Sequence, residues 1–206
     1  SAGPVDFDFT ANYTREKVKN RPALGDSQSN VGKNLMTLAG TYDQAWLKHY
    51  EDADGNYSNW NGNDQYNKNP YWDLYKNSNT SDKDVFRFTG KAIWNINKHL
   101  KLQGTIGTDI NSMNFEDFIA KTTPGTPAGK LTDQIFKNRT LNAEILALYN
   151  NSWGDFDVNA TAGGNIFKVN NKTTTNVGLN QQMNGIKNIM NYQEQNTRES
   201  MYKKQI

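Results

Sequence analysis

The side chains with the widest chemical range in this chain are two histidines, one acid-rich turn and a loop dense in aromatic rings. His49 and His99 fall in different segments, and neither has a second His or a carboxylate at ligand spacing, so neither is assigned a metal or general-base role. Asp52-Ala53-Asp54-Gly55-Asn56 begins like a calcium loop. Its sixth position, which needs Gly for a sharp turn, is Tyr57, and its twelfth, which needs a bidentate Glu, is Asn63. A solvated hairpin tip is the better reading. The chain has no Cys, which removes thiolate metal sites, disulfides and Cys nucleophiles. There is no phosphate loop, nucleophile elbow or zinc signature. We therefore expect no enzymatic activity, no catalytic residue, no metal and no cofactor.

The aromatic loop is the stronger candidate. Trp46, Tyr50, Tyr57, Trp60, Tyr66, Tyr71, Trp72 and Tyr75 are interleaved with Asn, Gln and Asp. Flat apolar faces for stacking beside polar groups for hydroxyls are the parts of a sugar-recognition surface. Trp46, Trp60, Tyr66, Tyr71 and Trp72 are the expected substrate-binding residues. The competing reading is that these rings pin a long loop onto itself or onto a neighbouring subunit.

What must hold such a loop is a set of alternating strands. Between Val85 and Ile110 the even positions carry Phe86, Phe88, Gly90, Ala92, Trp94, Leu102, Gly104 and Ile106; the odd ones carry Arg87, Lys91, Lys101, Gln103 and Asp109. Strand side chains alternate faces, so this is a hairpin with one apolar and one polar face, turning at Asn97-Lys98-His99. Five strands are expected, at 5–14, 85–97, 100–110, 140–150 and 155–166, and residues 201–206 could begin a sixth. The long loops fall at 15–84, 111–139 and 167–200. Within the first, Leu35 to His49 has helical spacing broken by Gly40, and Asn69-Pro70 offers an N-cap and a first-turn Pro for a short helix.

The connections alternate long, short, long, short, long. In an up-and-down meander this gathers all long loops at one end and both tight turns at the other, as in outer-membrane barrels. Small residues lie mid-strand on the apolar face with aromatics nearer the ends, like an aromatic girdle. The expected fold class is all-β: an antiparallel up-and-down meander forming part of a large transmembrane β-barrel with long extracellular loops.

Composition narrows the classes further. The chain has 206 residues, is 35% hydrophobic and 12% aromatic, and includes 30 Asn, with a mean hydropathy of −0.88. It has 23 basic and 21 acidic residues, evenly mixed, so it has no electrostatic footprint for nucleic acid. No apolar run reaches the ~20 residues of a spanning helix, but a barrel strand needs only ~9–11 alternating residues. Ser1-Ala2-Gly3-Pro4 leads straight into the first strand without a secretory leader, as expected of a segment from inside a longer chain.

Several runs carry a family resemblance. They are Val18-Lys19-Asn20-Arg21-Pro22 after a strand, Asn69-Pro70-Tyr71-Trp72-Asp73-Leu74-Tyr75-Lys76-Asn77, Arg87-Phe88-Thr89-Gly90, Leu100-Lys101-Leu102, and Gly154-Asp155-Phe156 through Gly164. In order and spacing they resemble the barrel region of SusC/RagA-type TonB-dependent transporters of Bacteroidetes outer membranes. The resemblance implies a partial barrel from a cell outer-membrane protein that takes up nutrient glycans, oligosaccharides or peptides. A SusD-like surface lipoprotein, TonB acting through parts of the full chain absent here, and outer-membrane lipid would be its partners. The family's plug and most of its barrel have no counterpart in these residues. Two other classes stay open: a soluble all-β carbohydrate-binding module and a surface adhesion protein.

Overall fold

The computed structural model describes residues 5–206; residues 1–4, including the opening stretch read above, lie outside the described residues. The architecture is one six-stranded antiparallel sheet in sequential order: β1 (Val5–Lys19), β2 (Ser78–Asn95), β3 (Leu100–Ile119), β4 (Lys130–Trp153), β5 (Phe156–Gln181) and β6 (Tyr192–Gln205). The all-β up-and-down meander expected from the alternation is what forms. Two short helices, α1 (Val31–Met36) and α2 (Pro70–Tyr75), lie in the β1–β2 connection.

The strands are longer than the alternation indicates, and this corrects the expected boundaries. Residues 15–19, 78–84, 111–119, 130–139 and 167–181, assigned to loops above, are paired sheet. Runs such as Ser78-Asn79-Thr80-Ser81-Asp82-Lys83-Asp84 are polar on both faces, so period two has no hydrophobic signal there. Backbone ladders and polar cross-strand contacts hold them instead, such as Gln134 Nε2 donating to Thr175 Oγ1 at 3.3 Å. The sixth strand starts at Tyr192, not near residue 201. The helical spacing from Leu35 to His49 yields α1 and a separate 3-10 turn, Gln44–Lys48, with Gly40 between them. The last tight turn is Gly154-Asp155, with Trp153 paired to Phe156 across it and Gly154 at φ 60°. A single left-handed residue at the first turn position is the geometry of a type II′ hairpin, where Gly is favoured.

Register sets out the two faces. One rung across five strands reads Phe7–Ala92–Gly104–Ile145–Gly164, and the next on that face reads Phe9–Gly90–Ile106–Ala143–Ile166. Among the described residues nothing covers this apolar band: Phe7 and Phe9 are each 65% exposed and Ile145 is 59% exposed. The opposite face carries Arg87, Lys91, Lys101, Asp109 and Glu144, with Arg87 and Asp109 paired at 3.1 Å. The buried core is elsewhere. It gathers Tyr57, Trp72, Phe118, Ala120, Leu131 and Tyr192 at the end of the sheet away from the tight turns.

Candidate functional site in the loop assembly

The keystone of the loop assembly is the stretch from Lys68 to Asn77. Asn69 caps α2: its side chain accepts from the Tyr71 amide at 3.0 Å, and Pro70 occupies the first turn, where its missing donor costs nothing. The same Asn69 donates through Nδ2 to the Leu47 carbonyl at 2.8 Å, and its amide donates to Tyr57 Oη at 2.7 Å. Trp72 is wholly buried, and its Nε1 donates to Thr123 Oγ1 at 2.8 Å. That bond ties the β1–β2 loop to the β3–β4 connection. Beside it, Lys68 and Asp73 form an ion pair at 3.2 Å with both side chains 5% exposed, and Lys68 Nζ also donates to Ser29 Oγ at 2.8 Å. Burial pushes the Tyr57 phenol up to about 12.

The five aromatic residues expected to bind substrate separate into distinct places. Trp72 belongs to the core and has no free face for a ligand, so its expected stacking role is corrected to a packing one. Its indole fills the junction of two loops, as the competing reading of the aromatic loop requires. Trp46 and Trp60 come together on the surface around Tyr42, whose ring lies 5.7 Å from Trp46 and 4.3 Å from Trp60. Trp46 is 57% exposed and Tyr66 60% exposed. Tyr71 stacks on Tyr75 at 6.0 Å, and Tyr75 meets Tyr50 at 5.6 Å, with Lys76 Nζ over the Tyr50 ring. The surface rings are thus a Tyr42–Trp46–Trp60 ridge and a separate Tyr50–Tyr71–Tyr75 row.

An open cleft of about 430 Å³ lies where the end of β1, α2 and the end of β3 meet. Asn20, Arg21, Asp73, Asn77, Asn79 and Asp117 are among the residues lining it. Its size suits a small ligand. Burial raises the Asp117 carboxyl above the usual range, against the opposing pull of Lys130. Sequence alone does not mark these residues as a site, because Asn and Asp in a polar loop have no period to set them apart. Pairing brings the distant segments together: the Asn20 amide donates to the Asn79 carbonyl at 2.7 Å and the Arg21 amide to Asn79 Oδ1 at 2.8 Å.

The acid-rich turn is a hairpin tip. Glu51 bridges Tyr57, and the Asp52 carboxylate accepts from the Asn56 amide at 2.8 Å and the Asp54 amide at 3.0 Å. Hydrogen bonds from the Asn56 backbone, with smaller ones from neighbours, hold the Asp52 carboxyl below its ordinary value. His99 sits in the β2–β3 turn, its Nδ1 3.0 Å from the Asn150 carbonyl.

No protein-family model matches the chain, and no curated protein matches it. Among solved structures it is similar to a chain of the RagAB peptide transporter. The meander recurs in a transporter. The match has a TM-score of 0.65 at 15% identity and covers 96% of this chain but 23% of that one. At that identity the likeness shows the fold alone, and the chain spans under a quarter of the structure it matches.

Proposed function

We propose that this chain is a segment of the β-barrel of a TonB-dependent outer-membrane transporter of the SusC/RagA type. The observation that carries the proposal is the uncovered apolar band, which runs in register across five strands with polar residues behind it. In water such a face is an aggregation liability; against acyl chains it is satisfied. Strand length supports the same reading. At ~3.3 Å per residue and a tilt of roughly 40°, a strand as long as β5 rises about 65 Å, twice the ~30 Å hydrocarbon core. The half towards the tight turns carries the band, and the half towards the loops is polar.

In this reading Arg87, Lys91, Lys101 and Asp109 belong to the lumen wall, and the loop assembly stands at the extracellular mouth. The role is capture and passage rather than bond-breaking. The cargo is an oligosaccharide, another glycan or a peptide, received together with a SusD-like surface lipoprotein and moved with energy from TonB acting on other parts of the full chain. The exposed Tyr42–Trp46–Trp60 ridge favours a sugar face, with Tyr66 and Tyr71 as further contacts. The peptide cargo named for the similar structure favours a peptide. Tryptophan-fluorescence titrations with oligosaccharides and with short peptides separate the two.

These 206 residues contain no Cys, so single thiols introduced among them allow a direct test of the membrane reading. Ile106→Cys and Thr105→Cys, each carrying a nitroxide in the full chain reconstituted into vesicles, place labels on opposite faces of β3. The expected result is that the label at 106 is relaxed by oxygen dissolved in lipid and the label at 105 by a water-soluble reagent. Equal access of the water-soluble reagent to both would overturn the reading.

A further inference from the structure

The face that bears the apolar band changes character abruptly on β4 and β5, and β6 extends the charged part. One side-chain step beyond Leu141 on β4 comes Arg139, then Lys137; one step beyond Ile166 on β5 comes Lys168, then Asn170 and Lys172. Rungs join Arg139 to Asn170 and Lys203, and Lys137 to Lys172 and Met201. Five cations thus occupy a block three residues deep on three adjacent strands, without an acid among them. Strands lie ~4.8 Å apart and same-face neighbours ~7 Å apart, so the cations share a patch of roughly 10 by 14 Å. Lys137, Arg139, Lys168 and Lys203 are exposed.

Counter-charge within the chain is scarce at this place. Among the described residues only Lys172 of the five has an ion-pair partner, Glu199 at 2.8 Å. Asp84 shares the Lys137 rung and Asp82 the Ile135 rung, but both stand two strands away on β2, where Arg15 meets both and Lys17 meets Asp82; Glu116 and Asp133 lie one rung further up. The other half of the sheet is built differently. There Arg15 and Lys17 meet Asp82 at 2.7 and 3.6 Å, so the charged rungs are balanced internally.

We propose that Lys137, Arg139, Lys168, Lys172 and Lys203 form a docking patch for the phosphate groups of a phosphorylated membrane lipid, whose acyl chains lie on the apolar band directly below. The inference rests on the membrane reading above. The charge is of one sign and borders acyl-facing side chains without a gap, so the complementary partner is anionic and apolar in adjacent parts. A phosphorylated lipid has that shape; a free anion matches only half of it.

The test uses the full chain and two vesicle compositions, phosphatidylcholine alone and phosphatidylcholine with one part in five of lipid A. Lipid preference is read by native mass spectrometry after gentle delipidation, and insertion by a fluorophore on Ala143→Cys. The expected result is insertion into both vesicles with selective retention of lipid A. Retention should fall about five-fold for each cation replaced by Gln at low salt, and less at high salt. Lys203→Gln should lose retention, whereas Lys204→Gln, its neighbour on the opposite face, should keep it. Insertion without lipid preference would overturn the patch while leaving the membrane reading intact; failure to insert in either vesicle would overturn the reading, and the patch with it. Binding of inorganic phosphate with the same sensitivity to Lys203→Gln, but with no retained lipid, would reduce the patch to an anion site and also overturn the proposal.

Discussion

Tyr57 shows how a side chain legible only as one aromatic among eight becomes structural. Its hydroxyl accepts from the Asn69 amide, its ring meets Trp72 edge-on at 5.4 Å, and burial holds its pKa at about 12. The unfolded phenol titrates near 10, so the folded state binds the proton more tightly. Stability from this group is full below pH 10 and is lost as pH rises through 10 to 12. Near-ultraviolet circular dichroism across that range should show the loop assembly loosening, and Tyr57→Phe should remove its share of the pH dependence. A profile unchanged by the substitution would count against the burial effect. At this scale the sequence was a poor guide to role. Trp46 and Trp72 look alike as letters, yet one lies on the surface and the other is wholly buried. The difference comes from contacts between segments distant in the chain, such as Trp72 with Thr123, and local pattern does not report those.

The elements were legible wherever one face meets something apolar. The stretch from Val85 to Asn95 and the strand starting at Leu100 follow their alternation closely, and the Asn69-Pro70 start of α2 follows from capping chemistry alone. The polar halves of the same strands were not legible, because residues such as 78–84 offer water-compatible side chains to both faces. Their pairing depends on neighbours already being in place. The β5–β6 hairpin illustrates the packing that fixes these upper halves. Gly178 lies beneath the Tyr192 ring, and a Cβ there would sit 2.6 Å from the ring's Cγ. Gly178→Ala should therefore displace Tyr192 from the Phe118–Leu131 cluster and cost on the order of 1–3 kcal/mol, as overpacking does. The measurement is a denaturant or thermal shift of the loop assembly, read by Trp fluorescence. A shift within error would mean the hairpin gives way freely.

At the scale of the whole molecule, the arrangement follows from where apolar area is placed. A water-soluble sheet of this size would cover Phe7, Phe9, Ile106 and Ile145 with a second layer. Among the described residues the buried hydrophobic cluster lies at the loop end, and the band is left open. On the membrane reading proposed above, lipid contact would make that arrangement stable, and a charge placed on the band tests it. Ile145→Lys should cost roughly 2–4 kcal/mol in a bilayer, the range for a cation near the midplane on a lipid-facing barrel position. Glu144→Lys, one residue away on the other face, should cost far less. Refolding titrations into vesicles report the difference, and equal costs would argue that the two faces share one solvent.

The polar upper halves of the strands also have a mechanical meaning. They act as a mast: above the rung that joins Arg15 and Lys137 the sheet continues seven residues on β3 and β4 and nine on β5 and β6, a lift of about 20 Å after allowing for tilt. A mast converts small rotations at its foot into travel at its head. Tilting the sheet by about 5° within the bilayer would carry the loop assembly sideways by roughly 2 Å, enough to make or break contacts at its rim without any strand changing its pairing. On the membrane reading, such a tilt would move the aromatic ridge as a rigid head while the sheet beneath it keeps its pairing.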